Sequence, residues 1–197
     1  NFDAKAIPIA NEALEADPKL YEVLELLAGA ALEDSDQKRA IEKADAALAI
    51  SPEAFDALAI RATIEILNDH PGAEWLEKIW KVNPKYGKAH AIIAHHLVLN
   101  RRYDEGITHY RKAIELDPQL WPARSQLGIN LMRVGQDGEA RQQLELCFNN
   151  KYDNNPTINS LRLLDSYANF KTFETPKTIL KLHKKEAAQL LVYIQPE

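Results

Sequence analysis

Residues 103–118 read YDEGITHYRKAIELDP, a helix-length run that closes on the pair Asp117-Pro118. Pairs of the same kind, a small polar residue followed by proline, stand at Asp17-Pro18, Ser51-Pro52 and Asn83-Pro84, so that successive prolines are 34, 32 and 34 residues apart. Proline cannot continue the helix before it, and the Asp, Asn or Ser beside it is a residue type that caps the next helix. A helix breaker that returns at this period predicts a stack of helical repeats.

The clearest copy of the unit resembles the tetratricopeptide repeat, a 34-residue helix–turn–helix motif. Tyr103, Gly106, Tyr110, Ala113 and Pro118 stand where that family has aromatic, small, aromatic, alanine and proline residues. Weaker copies extend the resemblance over residues 3–150. The resemblance implies an all-α, right-handed α-solenoid in which each helix pair buries its apolar face against its neighbour. It also implies a function in protein–protein interaction, as a scaffold or adaptor.

The period divides the chain into successive segments. We predict, in chain order, the second helix of a truncated repeat, four repeats and a capping helix, at residues 1–18, 19–52, 53–84, 85–118, 119–156 and 157–170. The second full repeat is two residues short, and the fourth has an extended turn. We predict that the last segment, 171–197, is a linker or the start of a following domain, with strand character at residues 178–183 and a helix after it.

Composition and charge exclude several classes of function. The chain has 24 Lys and Arg residues against 29 Asp and Glu residues, a formal net charge of −5 at pH 7, whereas a nucleic-acid-binding surface is expected to be basic. No apolar run approaches the ~20 residues that a membrane-spanning helix requires, and no amino-terminal signal is recognised. We therefore expect neither nucleic-acid binding nor membrane insertion, and both cytoplasmic and periplasmic locations stay open.

Residues with catalytic or metal-binding chemistry do not form a motif in the sequence. The adjacent residues His95 and His96 point about 100° apart on a helix, which does not suit shared ligation of a metal. No H-E-x-x-H zinc motif and no glycine-rich phosphate loop occurs. The lone Cys147 stands where the repeat has a small residue, which predicts packing in the core. We therefore predict no enzyme activity, no metal and no cofactor.

The concave groove is where proteins of this family usually bind, and the resemblance places it on the exposed face of each first helix. By spacing, the groove is predicted to be lined by Glu22, Glu25, Asp56, Thr63, Lys88, Ile92, His95, Ser125, Gln126 and Asn130. Family members that clamp a chaperone's carboxyl terminus present Lys, Asn and Arg at several of these places, whereas this chain has residues such as Glu25, Thr63 and His95. The acidic amino-terminal part instead favours a peptide or partner domain, bound through a helix or extended segment with basic flanks and an apolar contact face.

Two alternatives stay open. The tail around Phe173-Glu174-Thr175 and Leu180-Lys181-Leu182-His183 resembles the junction between a tetratricopeptide array and a gluzincin-type zinc metallopeptidase domain in large bacterial proteins. That resemblance implies a non-catalytic accessory region that positions substrate for a catalytic domain downstream, and it supplies no zinc ligand because H-E-x-x-H is absent. The second alternative is self-association through exposed solenoid ends, in which the apolar edge at Ala4–Ala13 pairs with another copy.

Overall fold

The computed structural model describes residues 3–174 and 176–194. The predictions for residues 1–2, Thr175 and residues 195–197 lie outside the described residues. The chain divides into two compact units, residues 1–123 and residues 124–197.

The first unit is built from helices that pair in chain order. They are α1 Asp3–Ala16, α2 Tyr21–Glu33, α3 Gln37–Ile50, α4 Phe55–Leu67, α5 Ala73–Val82, α6 Lys88–Leu99 and α7 Tyr103–Leu116. Helix α2 packs against α3, α4 against α5, and α6 against α7, while α4 also contacts α2, α3 and α6. Each pair therefore covers the apolar face of its neighbour, which is how a stacked repeat builds a continuous core.

The second unit combines helices with a short hairpin. Helix α8, Trp121–Arg133, spans the boundary between the units, and the remaining elements are α9 Asp137–Asn149, α10 Asn155–Ser166, β1 Phe170–Glu174, β2 Ile179–His183 and α11 Ala187–Ile194. A 3₁₀ turn at Tyr167–Asn169 joins α10 to β1. The strands pair antiparallel in a register that sets Phe170 opposite His183.

The predicted all-α fold of helix–turn–helix repeats is confirmed, and so is the strand character near the carboxyl end, which is β2. The partner strand β1 is not predicted, because Phe170 and Phe173 are three residues apart, a spacing typical of a helix rather than of a strand. The predicted capping helix at 157–170 corresponds to α10, which begins two residues earlier and ends at Ser166. The division of the whole chain into repeats stays a prediction.

A residue with left-handed backbone conformation occupies the turn inside each helix pair from α2 to α9. These residues are Ser35, Asp69, Arg101 and Gly135, with φ angles of 61°, 61°, 62° and 79°. They are 34, 32 and 34 residues apart, the same intervals as those between the prolines. Residues other than glycine rarely adopt this conformation, yet only one of the four is glycine. The turn geometry therefore recurs with the repeat while the residue at the turn changes.

The polar residues before the prolines do not cap the helices that follow. Their side-chain oxygens accept the backbone N–H two residues further on, at 2.9–3.1 Å, from Lys19 to Asp17, from Lys85 to Asn83 and from Gln119 to Asp117. Helices α2 and α6 instead begin after Leu20 and Gly87, which make no side-chain cap bond. The capping prediction is therefore wrong here, because the oxygen is used in a local turn around the proline.

Gly128 marks a close approach between α8 and α9. A Cβ at this position would lie 2.6 Å from Cγ of Leu144 and 3.2 Å from the carbonyl oxygen of Ala140. We expect Gly128→Leu to lower the free energy of unfolding by roughly 1–3 kcal/mol, measured by urea denaturation, because the added side chain overpacks the contact. Gly138→Leu is the matched control, since a Cβ there meets nothing within 4 Å. Equal stability of the two variants would contradict this helix contact.

Candidate functional site

Four of the predicted groove residues line one cavity of the first unit. Glu22 and Glu25 come from α2, Asp56 from α4 and Lys88 from α6, and the cavity has a volume of about 450 Å³. Its other lining residues are Tyr21, Ser51, Glu53, Phe55 and Tyr86. We call these nine residues the acidic cavity, because they bring four carboxylates together with a single ammonium.

Asp56 is the centre of the hydrogen bonds in the acidic cavity. The hydroxyl of Tyr86 donates to its Oδ1 at 2.6 Å, and the ammonium of Lys88 pairs with its Oδ2. Asp56 also lies in the first turn of α4, where the helix dipole stabilises a carboxylate. The rings of Phe55 and Tyr86 meet edge to face with their centroids 5.0 Å apart, which gives the cavity an aromatic wall.

Glu25 joins α2 to α4 at the edge of the same cavity. Its Oε1 accepts the backbone N–H of Ala57 at 3.0 Å. Burial raises the pKa of Glu25, although the hydrogen bond from Ala57 opposes that shift. Burial and the hydrogen bond to Asp56 raise the pKa of Tyr86, so that its hydroxyl stays a neutral donor. A further positive charge in the cavity would be attracted to these carboxylates, and a further negative charge would be repelled.

Helix α6 carries two more of the predicted groove residues beyond Lys88. Lys88, Ile92 and His95 are spaced by four and three residues, which places them on one face of the helix. Nε2 of His95 lies 2.5 Å from Oε1 of Glu33 and so connects α6 to the end of α2. Ile92 is half-buried and packs against two clusters of buried apolar residues, one that includes Ile60 and one that includes Ile93. We call the surface that carries Glu22, Glu25, Asp56, Lys88, Ile92 and His95 the inner face of α2, α4 and α6. It combines acidic, basic, apolar and imidazole groups.

The structure buries one predicted groove residue of the first unit. Thr63 is fully buried, and its hydroxyl donates to the carbonyl oxygen of Ala59 at 2.7 Å. The prediction that Thr63 lines an open groove is therefore wrong, because its side chain belongs to the helix packing.

Two predicted groove residues of the second unit are also buried. Ser125 and Asn130 are each 1% exposed. Ser125 shares a 2.8 Å hydrogen bond with the hydroxyl of Thr157, and the amide of Asn130 donates to the carbonyl oxygen of Gln126 at 2.8 Å. Both side chains are occupied inside the unit, so the groove prediction is wrong for them. Gln126 is half-buried, and its place in a groove stays a prediction.

A contact between the buried His90 and the half-buried His109 was not predicted from the sequence. Nδ1 of His90 on α6 lies 3.0 Å from Nδ1 of His109 on α7, so one ring donates its N–H to the other. The ring centroid of Trp80 lies 5.3 Å from that of His90. A signal for the pair does exist in the sequence, since His90 stands ten residues before Asn100 and His109 nine after it. Because the chain reverses direction at Asn100, between α6 and α7, residues at similar distances before and after it lie opposite each other.

Within the described residues, the metal-ligating side chains form no cluster, and Cys147 is buried. Among these residues, no group of three or more His, Cys, Asp or Glu side chains is placed to hold a metal. Burial raises the pKa of the Cys147 thiol to about 11, which keeps it protonated at neutral pH. No helix within the described ranges has the length and apolar character to cross a membrane.

No family model and no curated protein matches the chain. Among solved structures, TTC0263 of Thermus thermophilus, a thermophilic tetratricopeptide-repeat protein, aligns with a TM-score of 0.59 at 19% identity, covering 83% of this chain and 90% of that one.

The chain has the tetratricopeptide-repeat fold. Two further structures align with this tetratricopeptide-repeat chain at lower scores. PilF of Pseudomonas aeruginosa gives a TM-score of 0.51 at 17% identity over 75% of this chain and 70% of that one. PilW, a type IV pilus biogenesis factor, gives 0.50 at 16% identity over 81% and 82%. Similarity at this level of identity establishes the tetratricopeptide-repeat fold, and the resemblance of the tail to a peptidase junction stays a prediction.

Proposed function

We propose that this chain is a non-catalytic interaction module that binds a peptide segment or a partner domain on the inner face of α2, α4 and α6. The observation that carries the proposal is the acidic cavity, to which three successive repeats contribute side chains. The tetratricopeptide-repeat fold supports it, because stacked repeats create extended surfaces that serve as binding faces.

The chemistry of the inner face favours a basic partner. The acidic cavity holds four carboxylates against the ammonium of Lys88, and opposite charges across an interface steer association and select the partner. Ile92, half-buried on α6, offers an apolar contact next to these charges. We therefore propose that the partner presents a helix or an extended segment with basic flanks and an apolar side chain between them.

Charge reversal in the acidic cavity tests the proposal. Peptides selected against the native chain from a random library would be measured by calorimetry with the double variant Glu22→Lys/Glu53→Lys. Both glutamates are exposed and line the acidic cavity. We expect the variant to bind roughly tenfold more weakly or worse, because two cations replace two carboxylates at the contact.

The matched control is Glu74→Lys/Glu77→Lys, which makes the same change in net charge at exposed positions of α5. This control is expected to keep the native affinity to within about twofold, because neither residue lines the cavity. Equal losses in both double variants would mean that only net charge matters and would contradict binding on the inner face.

The two alternatives stay predictions from the sequence alone. A role as the accessory region of a bacterial zinc metallopeptidase rests on the tail residues. Self-association through exposed solenoid ends is measured directly by sedimentation of the chain over a range of concentrations. A molecular mass that stays that of the monomer at every concentration would contradict it.

A further inference from the structure

Lys88 has an unusual place in the acidic cavity. Among the nine lining residues it alone is basic, and its ammonium pairs with Oδ2 of Asp56. The Lys88 side chain is 51% exposed, whereas that of Asp56 is 25% exposed. The ammonium thus reaches from solvent onto a more deeply placed carboxylate, and ion pairs with such exposure contribute little to stability.

The position of Lys88 in its helix also indicates that this lysine does little to stabilise the fold. Lys88 is the first residue of α6, and the dipole at the amino-terminal end of a helix disfavours a cation. The helix therefore gains nothing from a lysine here. What holds the side chain in place is the carboxylate of Asp56, so the cavity already binds an ammonium group.

We propose that the acidic cavity is a recognition site for one lysine or arginine side chain of the partner, and that Lys88 occupies this site as an internal competitor. This inference rests on the proposed function and adds to it the chemical group that is recognised. When the partner binds, its cation takes the place of the Lys88 ammonium at Oδ2 of Asp56, and Lys88 moves into solvent.

The remaining contacts of the cavity suit such an exchange. The Tyr86 hydroxyl holds Oδ1 of Asp56, so the carboxylate stays oriented when Lys88 leaves. The rings of Phe55 and Tyr86 provide an apolar wall along which the hydrocarbon stem of a long basic side chain can pack. The volume of about 450 Å³ falls within the range of about 300–1,000 Å³ that is usual for ligand sites.

The test compares Lys88→Met with the native chain. The probe is a fluorescein-labelled short peptide of alternating lysine and alanine, measured by anisotropy at about 20 mM salt, where exposed charges are least screened. Removing the competing ammonium is expected to tighten binding about fivefold, since one charge contact at 4 Å in water is worth about 1 kcal/mol. Lys85→Met is the matched control, because Lys85 is exposed, lies close in sequence and does not line the cavity.

A second variant locates the site. Asp56→Asn, made in the Lys88→Met background, is expected to lose most of the gained affinity, because it removes the carboxylate that receives the cation. Thermal unfolding of each variant checks that the fold is kept. Retained affinity in the Asp56→Asn variant would overturn the inference, because the probe would then bind elsewhere.

The remaining outcomes of the binding measurement also support or overturn the inference. Tighter binding by Lys88→Met but not by Lys85→Met supports it, even if the native chain binds too weakly to measure. Binding by Lys88→Met that is equal to or weaker than native binding overturns the competitor role and leaves the proposed function standing. Absence of binding by every variant overturns the cation site, while the library-selected peptides still test the interaction module separately.

Discussion

Gly87→Ala is expected to lower the free energy of unfolding by about 3 kcal/mol, although it adds a single methyl group. A Cβ at Gly87 would lie 2.3 Å from the carbonyl oxygen of Ala113 and 3.2 Å from Cβ of Asp117. The carbonyl belongs to the backbone of α7 and cannot rotate away as a side chain could, so the start of α6 must move off α7. Urea denaturation of the variant and the native chain measures the loss.

Gly29→Ala is the control for this prediction, and it is expected to act in the opposite direction. Gly29 lies inside α2, and a Cβ there meets nothing within 4 Å. Alanine in a helix interior is more stable than glycine by about 0.5–1 kcal/mol, so this variant should unfold at a higher urea concentration. A Gly87→Ala variant as stable as the native chain would show that α6 and α7 do not approach as closely as described.

Lowering the pH from 7 to 5 is expected to destabilise the chain by several kcal/mol through the buried His90 and His96 and the half-buried His109. Burial lowers the pKa of His90, His96 and His109 to about 4 each, and Lys112 adds to the shift at His90 and His109. In the unfolded chain these histidines take up protons near pH 6.5, whereas in the folded chain they stay neutral. The stabilising contribution is therefore fully present above pH 6.5 and is lost as the pH falls, at roughly 2 kcal/mol per histidine by pH 5.

The geometry of the histidine pair gives a reason for this loss besides desolvation. The 3.0 Å contact between the two Nδ1 atoms requires one donor and one acceptor, and protonation of both rings leaves two donors facing each other. Urea denaturation at pH 7 and pH 5 measures the difference in unfolding free energy. His96→Gln should reduce that difference by roughly a third, because one of three comparable groups no longer titrates. An unchanged difference in this variant would contradict the role of His96.

The repeat period predicted four of the nine residues that line the acidic cavity. Glu22, Asp56 and Lys88 are 34 and 32 residues apart, so they occupy equivalent places in successive repeats, and stacking of the repeats brings them together. Glu53 and Tyr86 were not predicted because they lie in the connections from α3 to α4 and from α5 to α6. The helical period does not indicate in which direction a side chain points there.

Burial depth was harder to predict than position. Thr63 follows Ala59 by four residues, so both lie on the same side of α4, and both are fully buried. Periodicity identifies the face on which a residue lies, but the neighbouring helix determines how much of that face it covers. The contact of His95 with Glu33 could not be predicted either, because it joins residues 62 positions apart in the sequence. Such contacts depend on the stacking angle between repeats, which no local pattern encodes.

The left-handed turns have a consequence for how repeats of this kind diverge. Ser35, Asp69, Arg101 and Gly135 share one backbone conformation at one place in the repeat, yet they have no side-chain chemistry in common. Repeats within one chain can therefore differ in the residue at this turn while its left-handed backbone conformation is kept. A family model that scores the amino-acid type at each position cannot recognise a repeat from a position where the type varies in this way. This agrees with the absence of a matching family model in a chain whose backbone aligns with a known tetratricopeptide-repeat protein.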